Sequence, residues 1–254
     1  MKKNLCIIQA RMGSTRLPGK ILMKAGGRTL LENVIMRVGQ AEKVNNVVIA
    51  TTVNKEDDKT EKLCRKIGIN CFRGSENDVL SRYFECAKKY PEYKNIIRVT
   101  GDCPLIDPKI IDEVVSLFEK NNFDYASNVQ KETYPDGMDV EIFKKTILAK
   151  ADKEAVMASE REHVTLYIRN SSKFKKGNLE NVHDFSHFRL TVDNPEDYEV
   201  IKFLIENSDP EDGYLKYVSL LTKNPEIMAK NSKIVKNAGL IKSLKEDKVV
   251  KKYA

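Results

Sequence analysis

Residues Gln9 to Lys20 read Q-A-R-M-G-S-T-R-L-P-G-K and thread three cations, Arg11, Arg16 and Lys20, through small and turn-forming residues. The chemistry this suits is anion binding. Gly13 lets the backbone turn without a Cβ penalty, and small neighbours leave N–H groups free to form an anion nest. Ser14 and Thr15 add hydroxyl donors. Arg16 offers a two-pronged fork and Lys20 a point charge, the two ways of holding a phosphate. Pro18 stiffens the loop between them. The pattern is that of a polyphosphate site, with Gln9, Arg11, Gly13, Ser14, Arg16 and Lys20 as its candidate residues. It has neither the order of a Walker loop nor G-x-G-x-x-G, which argues against a dinucleotide cofactor.

A triphosphate usually travels with Mg²⁺, which takes oxygen ligands. Two aspartates follow apolar runs: Asp102 in R-V-T-G-D-C-P and Asp193 in R-L-T-V-D-N-P-E-D. Each is read either as a Mg²⁺ ligand at the end of a strand or as a cap of the helix that follows. Asp107, just before Pro108, is read as a cap. Arg73, Asp78 and Arg82 in R-G-S-E-N-D-V-L-S-R stand at a third such loop, where Arg73 could meet a phosphate or a base and Asp78 is equally suited to a helix N-cap. In Y-P-D-G-M-D-V-E, Pro-Asp-Gly is turn chemistry. Asp139 and Glu141 alternate along the expected strand after it and could hold sugar hydroxyls or a second ion. In S-E-R-E-H-V-T, His163 with Arg161 nearby suits a negatively charged acceptor, or is a surface histidine. His183 and His187 are four apart but lack a third ligand, so zinc is not expected.

These residues need a scaffold that gathers loop ends. Leu5–Ile8, Val47–Thr51, Ile69–Phe72, Ile96–Thr100 and Tyr125–Ser127 read as short buried strands, and helical spacing fills the gaps: Thr29 onward with a Thr29/Glu32 capping box, Asp57 to Ile67 closed by Gly68, Asp78 to Lys89, and Pro108 to Lys120. That alternation predicts an α/β fold, a Rossmann-like mostly parallel sheet with helices on both faces, and ligands beyond the carboxyl ends of the strands. The rhythm breaks after residue 130. Val140–Phe143 reads as a strand, Lys144 to Ala158 as a helix, and Phe188–Val192 as a returning strand before a helix over 195–206. The expected organisation is a catalytic domain over 1–210, with 130–187 an insertion on the acceptor side that leaves the sheet as a lid or dimer arm, and a helical extension over 211–254.

Composition narrows the rest. The net charge of +7 over 254 residues is a mild excess, +2 of it in the terminal K-E-D-K-V-V-K-K-Y-A. There is no basic stripe or aromatic ladder for nucleic acid. Five scattered cysteines do not form a disulfide framework. No apolar run approaches the roughly 18 residues of a membrane span and no secretory leader is visible, so a cytoplasmic protein without membrane contact is expected.

The quoted motifs, together with I-I-Q-A-R and L-T-V-D-N-P-E-D, run in order from residue 7 to 197. In that order they resemble the cytidylyltransferases that make CMP-activated acidic sugars, such as the 3-deoxy-manno-octulosonate and acylneuraminate enzymes, and among them the spore-coat polysaccharide branch. The resemblance implies a nucleotide-diphospho-sugar transferase fold and Mg²⁺-dependent transfer of CMP from CTP to an acidic or related sugar. On it, Arg11, Ser14, Arg16 and Lys20 hold the nucleotide, Arg73, Asp78 and Arg82 frame it, and Asp102 and Asp193 bind Mg²⁺. Arg16, Lys20 and Asp102 are the catalytic set, and Asp136, Asp139, Glu141, Arg161 and His163 line the acceptor side. A homodimer is implied. Gln9 departs from the family's I-P-A-R opening, which leaves the sugar open. The alternatives are a sugar-phosphate nucleotidylyltransferase using UTP or GTP, and a non-catalytic partner in a polysaccharide complex.

Overall fold

A computed structural model of the chain describes residues 3–250. In chain order its elements are β1 (Asn4–Gln9), β2 (Lys24–Ala25), β3 (Arg28–Thr29), α1 (Leu30–Gly39), β4 (Asn46–Thr52), α2 (Asp58–Ile67), β5 (Asn70–Gly74), α3 (Val79–Lys88), β6 (Asn95–Thr100) and α4 (Pro108–Asn121). There follow β7 (Tyr125–Ser127), β8 (Glu141–Lys144), α5 (Lys145–Glu154), α6 (Ala158–Glu162), α7 (Leu166–Asn170), β9 (Lys176–Asn178), α8 (Pro195–Glu206), α9 (Tyr214–Lys223), α10 (Pro225–Met228) and α11 (Ala238–Lys245).

Seven strands form one sheet in the order β5-β4-β1-β6-β8-β7-β9. β1 pairs in parallel with both β4 and β6. Its alternate residues serve two cores. Cys6 and Ile8 pack with α1, α4 and α8 on one face, while Leu5 and Ile7 pack with α3 and α5 on the other. Burial on both faces is why this strand reads as a continuous apolar run. The chain moves outward from β1 on one side through β4 and β5, and on the other side through β6. β1 and β6 therefore flank the point where strand order reverses, and the crevice beyond their carboxyl ends is where such sheets hold ligands.

Local signals fix the helix ends. The Thr29 side chain accepts from Glu32 N at 3.1 Å while Glu32 accepts from Thr29 N at 2.7 Å, completing the expected capping box. Gly68 closes α2 in the left-handed region. Asp107 caps α4, accepting from Lys109 N at 2.9 Å, and also accepts from Tyr214 N, which ties α9 to the sheet domain. Buried Arg37 reinforces that tie by donating to the carbonyls of Ile106, Pro210 and Asp212. No helix among the described residues is long and apolar enough to cross a membrane.

Three expectations change. Residues 130–187 do not leave the sheet as a whole: β8 inserts between β6 and β7, antiparallel to both, and β9 adds beside β7. The helix expected over 144–158 is α5 and ends early, at Glu154, and the separate short α6 starts only at Ala158. Phe188–Val192 is buried but is not a strand. Both edges of β6 are taken by β1 and β8, so this segment has no edge to join. Its backbone bonds instead to two loops, Val192 N to Asp102 O at 2.9 Å and Leu190 N to Asp136 O at 2.6 Å.

Candidate active site

The loop after β1 is built on the crevice and held from below. Met12 N donates to Asp57 Oδ1 at 2.8 Å, and Asp57 is itself fixed by the hydroxyls of Thr52 and Thr60. Gly19 N returns to Met12 O at 3.1 Å, which closes the loop and starts the short turn carrying Lys20. Gly101 brings the loop after β6 against it: its N–H bonds Gln9 O at 2.8 Å, and a Cβ there would lie 3.0 Å from that same oxygen.

Lys20 is the centre. Its ammonium donates to Asp102 Oδ2 at 3.0 Å, Asp193 Oδ1 at 2.8 Å and Val192 O at 2.7 Å. Asp102 and Asp193, 91 positions apart in sequence, thus converge on one point, because the 188–193 segment is stitched to the Asp102 loop. Burial opposes the charge on Lys20, yet the two carboxylates prevail and hold its pKa above the ordinary value. Burial likewise opposes ionisation of Asp102, but Lys20 and the Thr100 hydroxyl bring it down to about 2. Asp193 also meets Arg16 at 3.1 Å and Arg189 at 3.3 Å. Arg189 in turn bonds Asp136 at 2.7 Å and the fully buried Asp197 at 2.7 Å.

Two carboxylates on one point are a donor set for a hard cation. Mg²⁺ commonly takes one or two carboxylates and fills its shell with water and substrate phosphate. No group of three or more His, Cys, Asp or Glu converges among the described residues, and this ion needs none. The residues fit the expected metal, and a positive charge already stands between them.

A cavity of about 1190 Å³ opens from this point. It is lined by Gln9, Arg11, Ser14, Arg16, Lys20, Asp78, Arg82, Asp102 and Asp193 on the side expected for the nucleotide, and by Asp136, Asp139, Glu141, Arg161 and His163 on the side expected for the acceptor. The two groups face one continuous space. Arg11 pairs with Glu76 across the mouth at 3.6 Å. Gly13 lies in the loop, where a Cβ would come within 3.3 Å of Glu76.

Arg73 is not brought in. It lies within β5, bonded to Asp58 at 2.6 Å and Glu61 at 2.9 Å. Its position at the end of the strand was the expected one, but α2 supplies two acids and takes the side chain away from the crevice. Asp78 is both the N-cap of α3, accepting from Ser81 N, and the partner of Arg161 at 2.7 Å. Arg161 also bonds the Asp152 carboxylate and the carbonyls of Asp152 and Ala155, so it clamps α6 to α3 and is not a free cation. Glu141 is equally committed. It pairs with Arg98 and accepts from Tyr125 at 2.6 Å and Thr165 at 2.5 Å. Burial raises its pKa and these partners lower it, with a net depression. His163 is held neutral: burial lowers its pKa, as do Arg98 and Arg169 nearby, against the pull of Glu162.

Asp139 differs. It makes no hydrogen bond or ion pair among the described residues, and burial together with the adjacent Asp136 raises its pKa to about 7. Gly137 makes its turn possible, with φ of 102° and Leu190 O only 2.5 Å from where a Cβ would stand. Arg169, also in the cavity wall, has a guanidinium with neither hydrogen bond nor ion pair among the described residues. Sequence reading missed Arg98, Arg169, Arg189, Asp57 and Asp197. Asp197 alone had a local signal, since Asn194 stands three residues before it in a capping-box pattern that the structure completes.

Fold and site together define a nucleotidyltransferase of the nucleotide-diphospho-sugar transferase fold. The cytidylyltransferase family profile matches residues 5–234, and the chain belongs to that family. It is 37% identical to the spore coat polysaccharide biosynthesis protein SpsF of Bacillus subtilis over 236 residues, 89% of this chain and 97% of that one. A solved cytidylyltransferase from Leptospira borgpetersenii superposes with a TM-score of 0.86 at 42% identity, covering 92% of this chain and 99% of the other. CMP:2-keto-3-deoxy-manno-octonic acid synthetase, solved with CTP, has a TM-score of 0.62 at 19% identity over 80% of this chain and 98% of its own.

Proposed function

We propose that this protein transfers CMP from CTP to a hydroxyl of an acidic or related sugar, with release of pyrophosphate, for polysaccharide or glycan synthesis. The observation that carries the reading is the convergence of Asp102 and Asp193 on Lys20 at the mouth of a cation-rich loop, in a chain of the cytidylyltransferase family. The solved synthetase that shares this fold binds CTP, and the similar protein from B. subtilis is named for polysaccharide synthesis.

In this reading Arg11, Ser14 and Arg16 bind the triphosphate, and Arg82, buried beside the cavity, frames the nucleotide. Asp102 and Asp193 would hold Mg²⁺, which when bound neutralises phosphate charge and polarises the phosphoryl oxygens. The acceptor oxygen attacks the α-phosphorus, and the bond to the bridging oxygen of the β-phosphate breaks. Pyrophosphate leaves with the electron pair. Lys20 and Arg16 stabilise the charge that builds on it. Asp139, with no partner of its own, is assigned to the acceptor hydroxyl and its proton. Neutral His163 hydrogen-bonds the sugar. A homodimer belongs to the same proposal and is checked by light scattering.

The test is pyrophosphate release from each of the four NTPs with Mg²⁺, against a panel of acidic sugars and sugar phosphates. Release with CTP and an acidic sugar is expected. Release only with UTP or GTP and a sugar phosphate would replace the reading with the neighbouring nucleotidylyltransferase class. If no nucleotide turns over and calorimetry finds no CTP binding, the protein is a non-catalytic partner.

A further inference from the structure

The family profile stops at residue 234, but the chain beyond it does not lie apart. Lys236 pairs with Glu132 at 2.6 Å, and Asn237 donates to the same carboxylate at 3.3 Å. α11 then crosses to α6. The Ser243 hydroxyl donates to Glu162 at 2.6 Å and lies 3.0 Å from His163 Nε2. Asp247 accepts from both the N–H and the hydroxyl of Ser159, at 3.0 and 2.7 Å. Two backbone bonds finish the attachment, Ala158 N to Lys248 O at 2.8 Å and Val250 N to Val156 O at 2.9 Å.

Residues 236–250 therefore run from the Glu132 wall of the cavity to the α6 wall, and Gly239, Lys242, Ser243, Glu246 and Lys248 line the space between. The attachment is polar. α11 buries none of its residues, and its Ile241 and Leu244 are 41% and 50% exposed. A segment held by surface hydrogen bonds and no apolar core belongs to the low-stability end of a structure and opens first. None of these bonds reaches the Gln9–Lys20 loop; they end on Glu132, Val156, α6 and His163.

We propose that residues 236–250 are an acceptor-selecting strap. Undocked, they admit the sugar. Docked, they place Lys242 and Ser243 beside it and keep bulk water from the reacting phosphate. The assignment rests on the nucleotidyltransferase reading above and adds to it the element that chooses the acceptor.

The test uses the full chain carrying Ser243→Ala, Asp247→Ala and Val250→Pro, the last removing a backbone donor. A second variant, Lys236→Ala with Asn237→Ala, frees the other end. Faster hydrogen exchange at Ala158 reports undocking. With CTP and Mg²⁺ and no acceptor, water attack on the α-phosphorus breaks the same α–β linkage and gives CMP and pyrophosphate. Undocking is expected to raise that CMP formation about tenfold or more, because an open site no longer excludes water. CTP Kd by calorimetry stays within about twofold, and KM for any acidic sugar that supports transfer rises about tenfold. Unchanged CMP formation and unchanged acceptor KM overturn the strap. So does a large loss of CTP affinity, which would make the segment part of the nucleotide site. A wild-type protein that fails to bind CTP instead defeats the underlying reading, and the strap with it.

Discussion

Two sets of charged groups in the cavity wall are treated in opposite ways. Lys20, Asp102, Asp193, Arg189 and Asp197 form one connected chain that starts at the nucleotide end and reaches Asp136 on the acceptor side, and every member has a partner. At the acceptor end Asp139 and Arg169 face the same space with no hydrogen bond or ion pair among the described residues. A satisfied network fixes geometry in advance, which suits charge stabilisation during phosphoryl transfer. Unpaired charges cost stability but are available to a ligand. A finished network and two side chains with bonding capacity to spare therefore share one cavity.

Breaking the satisfied network carries the largest effect. Arg189→Met leaves Asp136 without its ion-pair partner and takes one partner each from Asp193 and Asp197, and loss of one partner from a buried ion-pair network costs about 3–5 kcal/mol. Thermal or urea unfolding should show that drop. Asp102→Ala should lower kcat by ~10²-fold or more, about 2.7 kcal/mol or more of transition-state stabilisation, with a smaller change in nucleotide KM. A near-normal kcat would remove Asp102 from the chemistry.

Acid distinguishes a satisfied carboxylate from an unpaired one by sign. Glu141 has a folded pKa below its unfolded value, so its contribution is complete above about pH 4.5 and is lost as the pH falls through the folded pKa. Asp139 is raised to about 7, so its ionisation destabilises the fold as pH climbs from the ordinary carboxylate range toward 7. Asp139→Asn should therefore stabilise the protein at pH 8 by ~1–2 kcal/mol while impairing turnover. A variant that loses stability at pH 8 would mean that Asp139 is paired. The smallest effect belongs to Arg73→Ala. Its ion pairs are at the surface and worth ~0–1 kcal/mol, and CTP KM should shift less than about twofold.

Much of this was readable from local signals. The strands β1 and β6, the loop between Gln9 and Lys20, the caps at Thr29 and Asp107 and the aspartates at 102 and 193 all announce themselves within a few residues. What was hidden depends on partners far along the chain. Arg98 finds Glu141 43 positions away, and Arg189 finds Asp136 53 positions away. Nothing adjacent to Glu141 or Arg161 tells a reader that these side chains are already spent. Phe188–Val192 has a strand's composition, but whether it becomes one depends on a free sheet edge, and both edges of β6 are occupied. Arg73 fails for the same kind of reason, since the acids that capture it belong to a neighbouring helix.

The reversed strand β8 has a consequence for how the chain is made. β7 is synthesised first, yet it pairs only with β8 and β9. A nascent chain that has not reached Glu141 can assemble β5-β4-β1-β6 but nothing beyond, and it presents β6 as an open edge. Open edges template intermolecular pairing. Ribosome-stalled chains ending before residue 141 should therefore aggregate or recruit chaperones, and chains extended past Asn178, where β9 covers the outer edge of β7, should not.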